Sequence, residues 1–143
     1  MPQNSPLLLA LSFYGETPIS GSAANPTILD FIRATSYPAG VSDEVPWCSA
    51  FLVWIFQQCS VATPANAAAL SWMNYSEHTD SPSIGDIVVL GWPKENPTSH
   101  HVGLFIREKA NVVYILAGNQ NNEVDIVAWR KSDVLSYRRY AGP

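Results

Sequence analysis

Apolar and polar positions follow two different periods along the chain. In the first half, apolar residues recur at helical spacing behind proline start signals. Ser5-Pro6 reads as an N-cap followed by proline at the first helical position, the run extends to Tyr14, and Gly15 supplies a stop. Asn25-Pro26 repeats the signal, with Ile28, Leu29 and Ile32 as an apolar stripe. Pro46 opens the longest apolar segment, residues 47–59, and Thr63-Pro64 precedes a fourth run over 67–75. Four helices are therefore predicted before any strand.

The second half changes period. Ser83-Ile84-Gly85-Asp86 reads as a turn leading into residues 87–90, and Pro93, Asn96 and Pro97 mark a loop between Gly91 and Ser99. Strand patterns follow at 102–107, 112–117, 124–129 and 134–140. Their short connections predict an antiparallel meander, and helices followed by strands predict a single α+β domain over residues 1–143, with no internal repeat or linker.

Composition narrows the function. A chain of 143 residues buries about two-thirds of its unfolded surface, enough to fold without disulfide or metal. With 47% hydrophobic and 14% charged residues it is not a disordered chain. Eight Lys and Arg against twelve Asp and Glu, net charge -4, argue against nucleic acid as a partner. The apolar run at residues 7–11 has no basic flank, and no run approaches the about 20 residues of a membrane helix, so neither a secretory signal nor a membrane span is expected. A target outside the cytoplasm would then require another delivery route. Cys48 and Cys59 fall on one predicted helix at a separation of roughly 16 Å, and a disulfide needs Cα atoms within about 7 Å. Two free thiols are expected, as in a reducing compartment.

Cys48 is the candidate for chemistry. With Pro46 as first helical residue it falls in the first turn, where unpaired N–H groups and the helix dipole favour a thiolate. It also continues the stripe Cys48, Leu52, Ile55, Cys59, which equally suits a small core residue. Cys59, at the far end, reads as core. Of three histidines, His78 sits in a polar segment that reads as a solvated loop. His100 and His101 begin a strand and point to opposite faces, His101 with Gly103 and Phe105, His100 with Val102, Leu104 and Ile106. A three-residue loop at 109–111, with Asn111 left-handed, sets Glu108 opposite Val112 and, further along the ladder, His101 opposite Asn119. Asn119 would then orient the imidazole; taken by itself, in Gly118-Asn119-Gln120-Asn121-Asn122, it reads first as a turn residue.

Four blocks in order carry a resemblance: Pro46-Trp47-Cys48-Ser49-Ala50-Phe51, Gly85-Asp86-Ile87-Val88-Val89, His101-Val102-Gly103 and Gly118-Asn119-Gln120. Together they resemble the small CHAP and NlpC-type cysteine amidohydrolases, papain-like enzymes that cut amide bonds in bacterial peptidoglycan. Tyr14-Gly15-Glu16 through Asn25-Pro26 is similar to single-domain members among phage lysins and type VI secretion effectors. The resemblance implies N-terminal helices packed on a β-meander, Cys48 as nucleophile, His101 as base, Asn119 as orienting residue, stem peptides as substrate and no cofactor. For an injected effector it also implies an immunity protein, synthesis in the cytoplasm and action in the periplasm or cell wall.

The remaining candidates have two readings each. Asp43 and Glu44 favour the helix start electrostatically, and Glu44 is also placed to meet a substrate amine. Trp47, Trp92 and Tyr14 suit a substrate groove or the core. Asp86 reads as a turn residue. No ligand spacing for zinc occurs, and the acidic residues are scattered rather than paired as a glycosidase needs. The rival to an enzyme is a non-enzymatic wall-binding or interaction module, which leaves the helix-start cysteine without a role.

Overall fold

The computed structural model describes residues 5–17, 25–35, 47–64, 66–92 and 96–140, and at 92 and 96–99 the backbone alone. Two proline signals open helices as predicted. In α1 (Pro6–Leu11) the Ser5 hydroxyl accepts the Leu8 N–H at 3.2 Å, and in α2 (Pro26–Arg33) the Asn25 side chain accepts the Thr27 N–H at 2.9 Å. Each bond satisfies an N–H group that the first turn leaves orphaned. Gly15, at φ +92, takes the left-handed conformation that stops the chain beyond α1. Its N–H donates to the Val124 carbonyl and the Val124 N–H returns to the Glu16 carbonyl, both at 2.8 Å, which ties this segment to the sheet.

Helix α3 (Cys48–Gln58) is buried at Cys48, Ser49, Ala50, Phe51, Leu52, Val53, Ile55 and Phe56, nearly around its circumference. A helix apolar on every side belongs in the centre of a domain, and α3 packs against α1 and α2 and against the sheet. The fourth predicted helix is a short 3-10 helix, Ala69–Asn74. The Asn66 side chain accepts the Ala68 N–H at 2.8 Å, an Asx turn that occupies the chain where an α-helix was expected to begin.

The strands are β1 (Glu77–His78), β2 (Ile87–Trp92), β3 (Asn96–Lys109), β4 (Val112–Gln120), β5 (Glu123–Arg130) and β6 (Val134–Arg139). They form one antiparallel sheet in the order β1-β6-β2-β3-β4-β5. Strands β2 to β5 are the predicted meander, but β6 does not extend it. It returns to the free edge of β2, with Ile87 opposite Arg138. Ile87, Val88, Val89 and Leu90 are all fully buried, as suits a central strand covered by a core on each face, and β3 and β6 pair its two edges. The loop expected over 91–99 is also largely strand: β2 runs through Trp92, β3 starts at Asn96, and a register shift at Gly91/Trp92 absorbs the irregularity.

The β3–β4 hairpin departs from the predicted turn twice, and the departures cancel. The loop has two residues, with Lys109 opposite Val112 and Ala110, rather than Asn111, left-handed at φ +54. A register shift between Phe105 and Arg107 then restores Leu104 opposite Leu116, the ladder a three-residue loop would have produced. Gly103 is required where these strands approach, since a Cβ there would lie 2.5 Å from Ile115 and 2.7 Å from Ala117. Two cores flank the sheet: Val89, Val102, Leu104 and Val124 face the helices, and Val88, Leu90, Phe105 and Ile115 form the second cluster. Asp86 is more than a turn residue. It accepts the Ser83 N–H at 2.7 Å and, buried, pairs with Arg139 at 2.9 Å.

Candidate active site

Cys48 is the first residue of α3, and Trp47 is the N-cap. Tryptophan brings no capping oxygen, so the first-turn N–H groups are not claimed by a side chain. The backbone N–H groups of Cys48 itself, Ser49 and, on β3, Val102 act on the thiol. These three lower the thiol pKa. Burial outweighs them: Cys48 is 6% exposed, and the net shift is upward. The expectation of an exposed helix turn with a depressed thiol pKa is thus reversed, because the helix end sits inside the domain.

Val102 follows His101 on β3. His101 is 5% exposed, and burial lowers its pKa from 6.5 to about 4, with the Gln120 hydrogen bond opposing. At neutral pH both side chains are therefore uncharged.

The tautomer of that imidazole follows from Gln120. The Gln120 Nε2 donates to the carbonyls of Ile115 at 3.1 Å and Asp125 at 2.7 Å, so the other side of the amide is the oxygen. Oε1 accepts the Trp129 indole N–H at 2.7 Å, which is a donor only, and faces His101 Nε2 at 3.1 Å. Nε2 must carry the proton, and Nδ1 is left with the lone pair of a base. Trp129 also stacks on the imidazole, ring centroids 5.2 Å apart and planes 25° apart.

Gln120, rather than Asn119, is thus the hydrogen-bond partner of the His101 imidazole. Asn119 is left-handed at φ +57 and lies in the β4–β5 register shift between Ala117 and Gln120. The two-residue loop that follows, Asn121-Asn122, is left-handed at both positions and sets Gln120 opposite Glu123. An Asn-Asn pair is a type I′ hairpin signal, so this was the clue in the sequence that would have put Gln120 in the strand. Nothing in the pattern marked Trp129. Asn119 does line, with His101, Gln120, Asn121, Val127 and Trp129, a depression of about 310 Å³.

The other candidates separate. Trp47 is fully buried, stacked near Phe31 and lying where a Cβ on Gly118 would come within 2.6 Å of its ring, so it is core and not groove wall. Tyr14 is 58% exposed, and the Asp125 carboxylate in β5 raises its pKa. Asp43, Glu44 and Pro46 lie outside the described residues, as does the Trp92 side chain. His78 lies in β1, not a loop, exposed and held by Asp80 at 2.8 Å. His100 is half-buried opposite Gly91. Cys59 is buried at the α3 C-cap, where burial raises its pKa, and both thiols are free. Among the described residues, no three His, Cys, Asp or Glu side chains converge on a metal position, and no helix is long and apolar enough to cross a membrane. A larger cavity of about 500 Å³, by Val61, Thr63 and Tyr75, lies at the opposite end of α3 from Cys48.

Residues 35–138 match the family model of the NlpC/P60 family. The chain belongs to the NlpC/P60 family. NlpC/P60 proteins are cysteine peptidases acting on peptidoglycan, and the matched span contains Cys48, His101, Gln120 and Trp129. No curated protein matches the sequence significantly.

Proposed function

We propose that this NlpC/P60 protein hydrolyses an amide bond of the peptidoglycan peptide, with Cys48 as nucleophile, His101 as base and Gln120 as the residue that orients it. The arrangement is papain-like in its division of roles. As the sulfur attacks the carbonyl carbon, its proton passes to His101 Nδ1, and the N–H groups at the start of α3 stabilise the oxyanion. The imidazolium then protonates the departing amine as the C–N bond breaks, leaving a thioester on Cys48. Water, deprotonated by His101, cleaves the thioester and restores the thiol. The observation that carries this reading is the Gln120–His101 bond, which leaves Nδ1 as the basic nitrogen of the residue before Val102, the β3 position whose backbone acts on the Cys48 thiol.

The bond cut is either the muramoyl-alanine amide or a peptide bond in the stem or cross-bridge. The biological setting in keeping with a peptidoglycan substrate is a phage lysin or a delivered antibacterial effector, acting in the periplasm or wall, with an immunity protein in the effector case. Mass spectrometry of fragments from purified sacculi tests the reaction. New amine and carboxylate ends at one peptidoglycan amide are the expected result; fragments cut only at glycosidic bonds, or none at all, would reject it.

A further inference from the structure

The indole of Trp129 makes two contacts with the proposed catalytic pair that family membership does not assign. Its N–H donates to Gln120 Oε1 at 2.7 Å, and its ring covers the imidazole of His101 at 5.2 Å. The Gln120 amide is held at both ends: two backbone carbonyls fix Nε2, and Trp129 fixes Oε1. Without the indole, the oxygen end would be held only by the imidazole it is meant to orient.

The depression beside these residues gives the second half of the argument. Trp129, Gln120 and His101 all line it, and the His101–Gln120 bond is buried, so the depression is the side from which water would enter if the indole were removed. Water competes for both partners of an exposed hydrogen bond, whereas a stacked ring excludes it from one face of the imidazole. We propose that Trp129 is a positioning residue of this site, its N–H locking the Gln120 oxygen and its ring shielding the His101–Gln120 bond from solvent. This inference rests on the catalytic reading above.

Shielding has a charge consequence. Among the described residues, the titratable groups next to His101 or to its hydrogen-bond partner are His100 on β3 and Asp125 on β5, whose carbonyl holds Gln120 and whose carboxylate is held by Asn121 and the Ile126 N–H, while the Cys48 thiol is acted on by the backbone of Val102, the next β3 residue. Burial is the largest cause of the low His101 pKa, and Trp129 supplies one wall of that burial. Opening the wall hydrates the imidazolium. The gain from hydration opposes the loss of the ring's attraction for the cation, and since burial is the largest cause of the depressed pKa, hydration is the larger effect.

Two variants separate the two contacts. Trp129→Phe keeps a ring and loses the N–H; kcat should fall several-fold with KM unchanged and with the acid limb of the pH profile in place. Trp129→Ala removes both; the acid limb should move up by about one pH unit or more, toward the ordinary histidine range. NMR titration of His101 in a Cys48→Ala background, with and without Trp129→Ala, reads the same shift without activity. Parental kcat in Trp129→Phe would overturn the proposal, as would an unmoved His101 titration in Trp129→Ala. If Trp129→Ala does not fold, Trp129→Phe decides alone. Full activity of Cys48→Ala would instead reject the catalytic reading, which keeps the two failures distinct.

Discussion

His101 Nε2 lies 3.1 Å from Gln120 Oε1, and the Gln120 amide is oriented by two backbone carbonyls and the Trp129 indole before it meets the imidazole. A neutral amide oxygen so fixed holds the imidazole in one tautomer without supplying charge.

Gln120→Ala should therefore lower kcat on the order of 10²-fold, since the imidazole remains but is free to turn. Asn119→Gly, which keeps the left-handed backbone and removes the side chain, should cost little. Steady-state kinetics on a soluble stem peptide would check both, and equal losses in the two variants would remove the distinction.

His101→Ala should lose about 10²- to 10⁴-fold in rate, the range general-base catalysis contributes. His100→Ala should be mild, because its side chain points to the other face of β3. The reverse order of severity would assign the base to His100.

Burial of His101 also makes stability depend on pH. Its pKa is depressed from 6.5 to about 4 on folding, so between those values the unfolded chain binds a proton that the folded chain does not. Stability from this group is fully present above about pH 6.5 and is lost as pH falls toward about 4, roughly 3 kcal/mol in all. Thermal melts across that window should show Tm falling with acid in the parent and falling less in His101→Gln. Parallel curves would contradict the depressed pKa.

Gly118→Ala should destabilise the fold by about 1–3 kcal/mol and reduce activity as well. A Cβ there meets the Trp47 ring at 2.6 Å and Phe51 Cβ at 2.9 Å, so the start of α3, and Cys48 with it, must shift. Denaturant unfolding beside a rate measurement separates the two effects.

Local signals were the legible part of this chain. Ser5-Pro6 and Asn25-Pro26 wrote their helices because cap and proline act within four residues. Strand parity placed His101 with Phe105, away from Val102 and Leu104, because side-chain alternation needs only the strand itself. What depended on distant partners was not legible. The return of β6 to β2, the burial of Asp86 against Arg139 and the enclosure of Cys48 are set by which surfaces meet. The expected pairing set Asn119 opposite His101, whereas the hydrogen-bond partner is Gln120, one position on, for a related reason: the register shift at Asn119 is a local change of backbone hand that turns Gln120 toward the imidazole.

The central claim is that Cys48 is the nucleophile of a peptidoglycan peptidase, and digestion of purified sacculi by three proteins tests it most directly. The account predicts that the parent releases peptide fragments, that Cys48→Ala releases none while keeping the parent's circular dichroism, and that Cys59→Ala retains most activity. Fragment release by Cys48→Ala at the parental rate would contradict it.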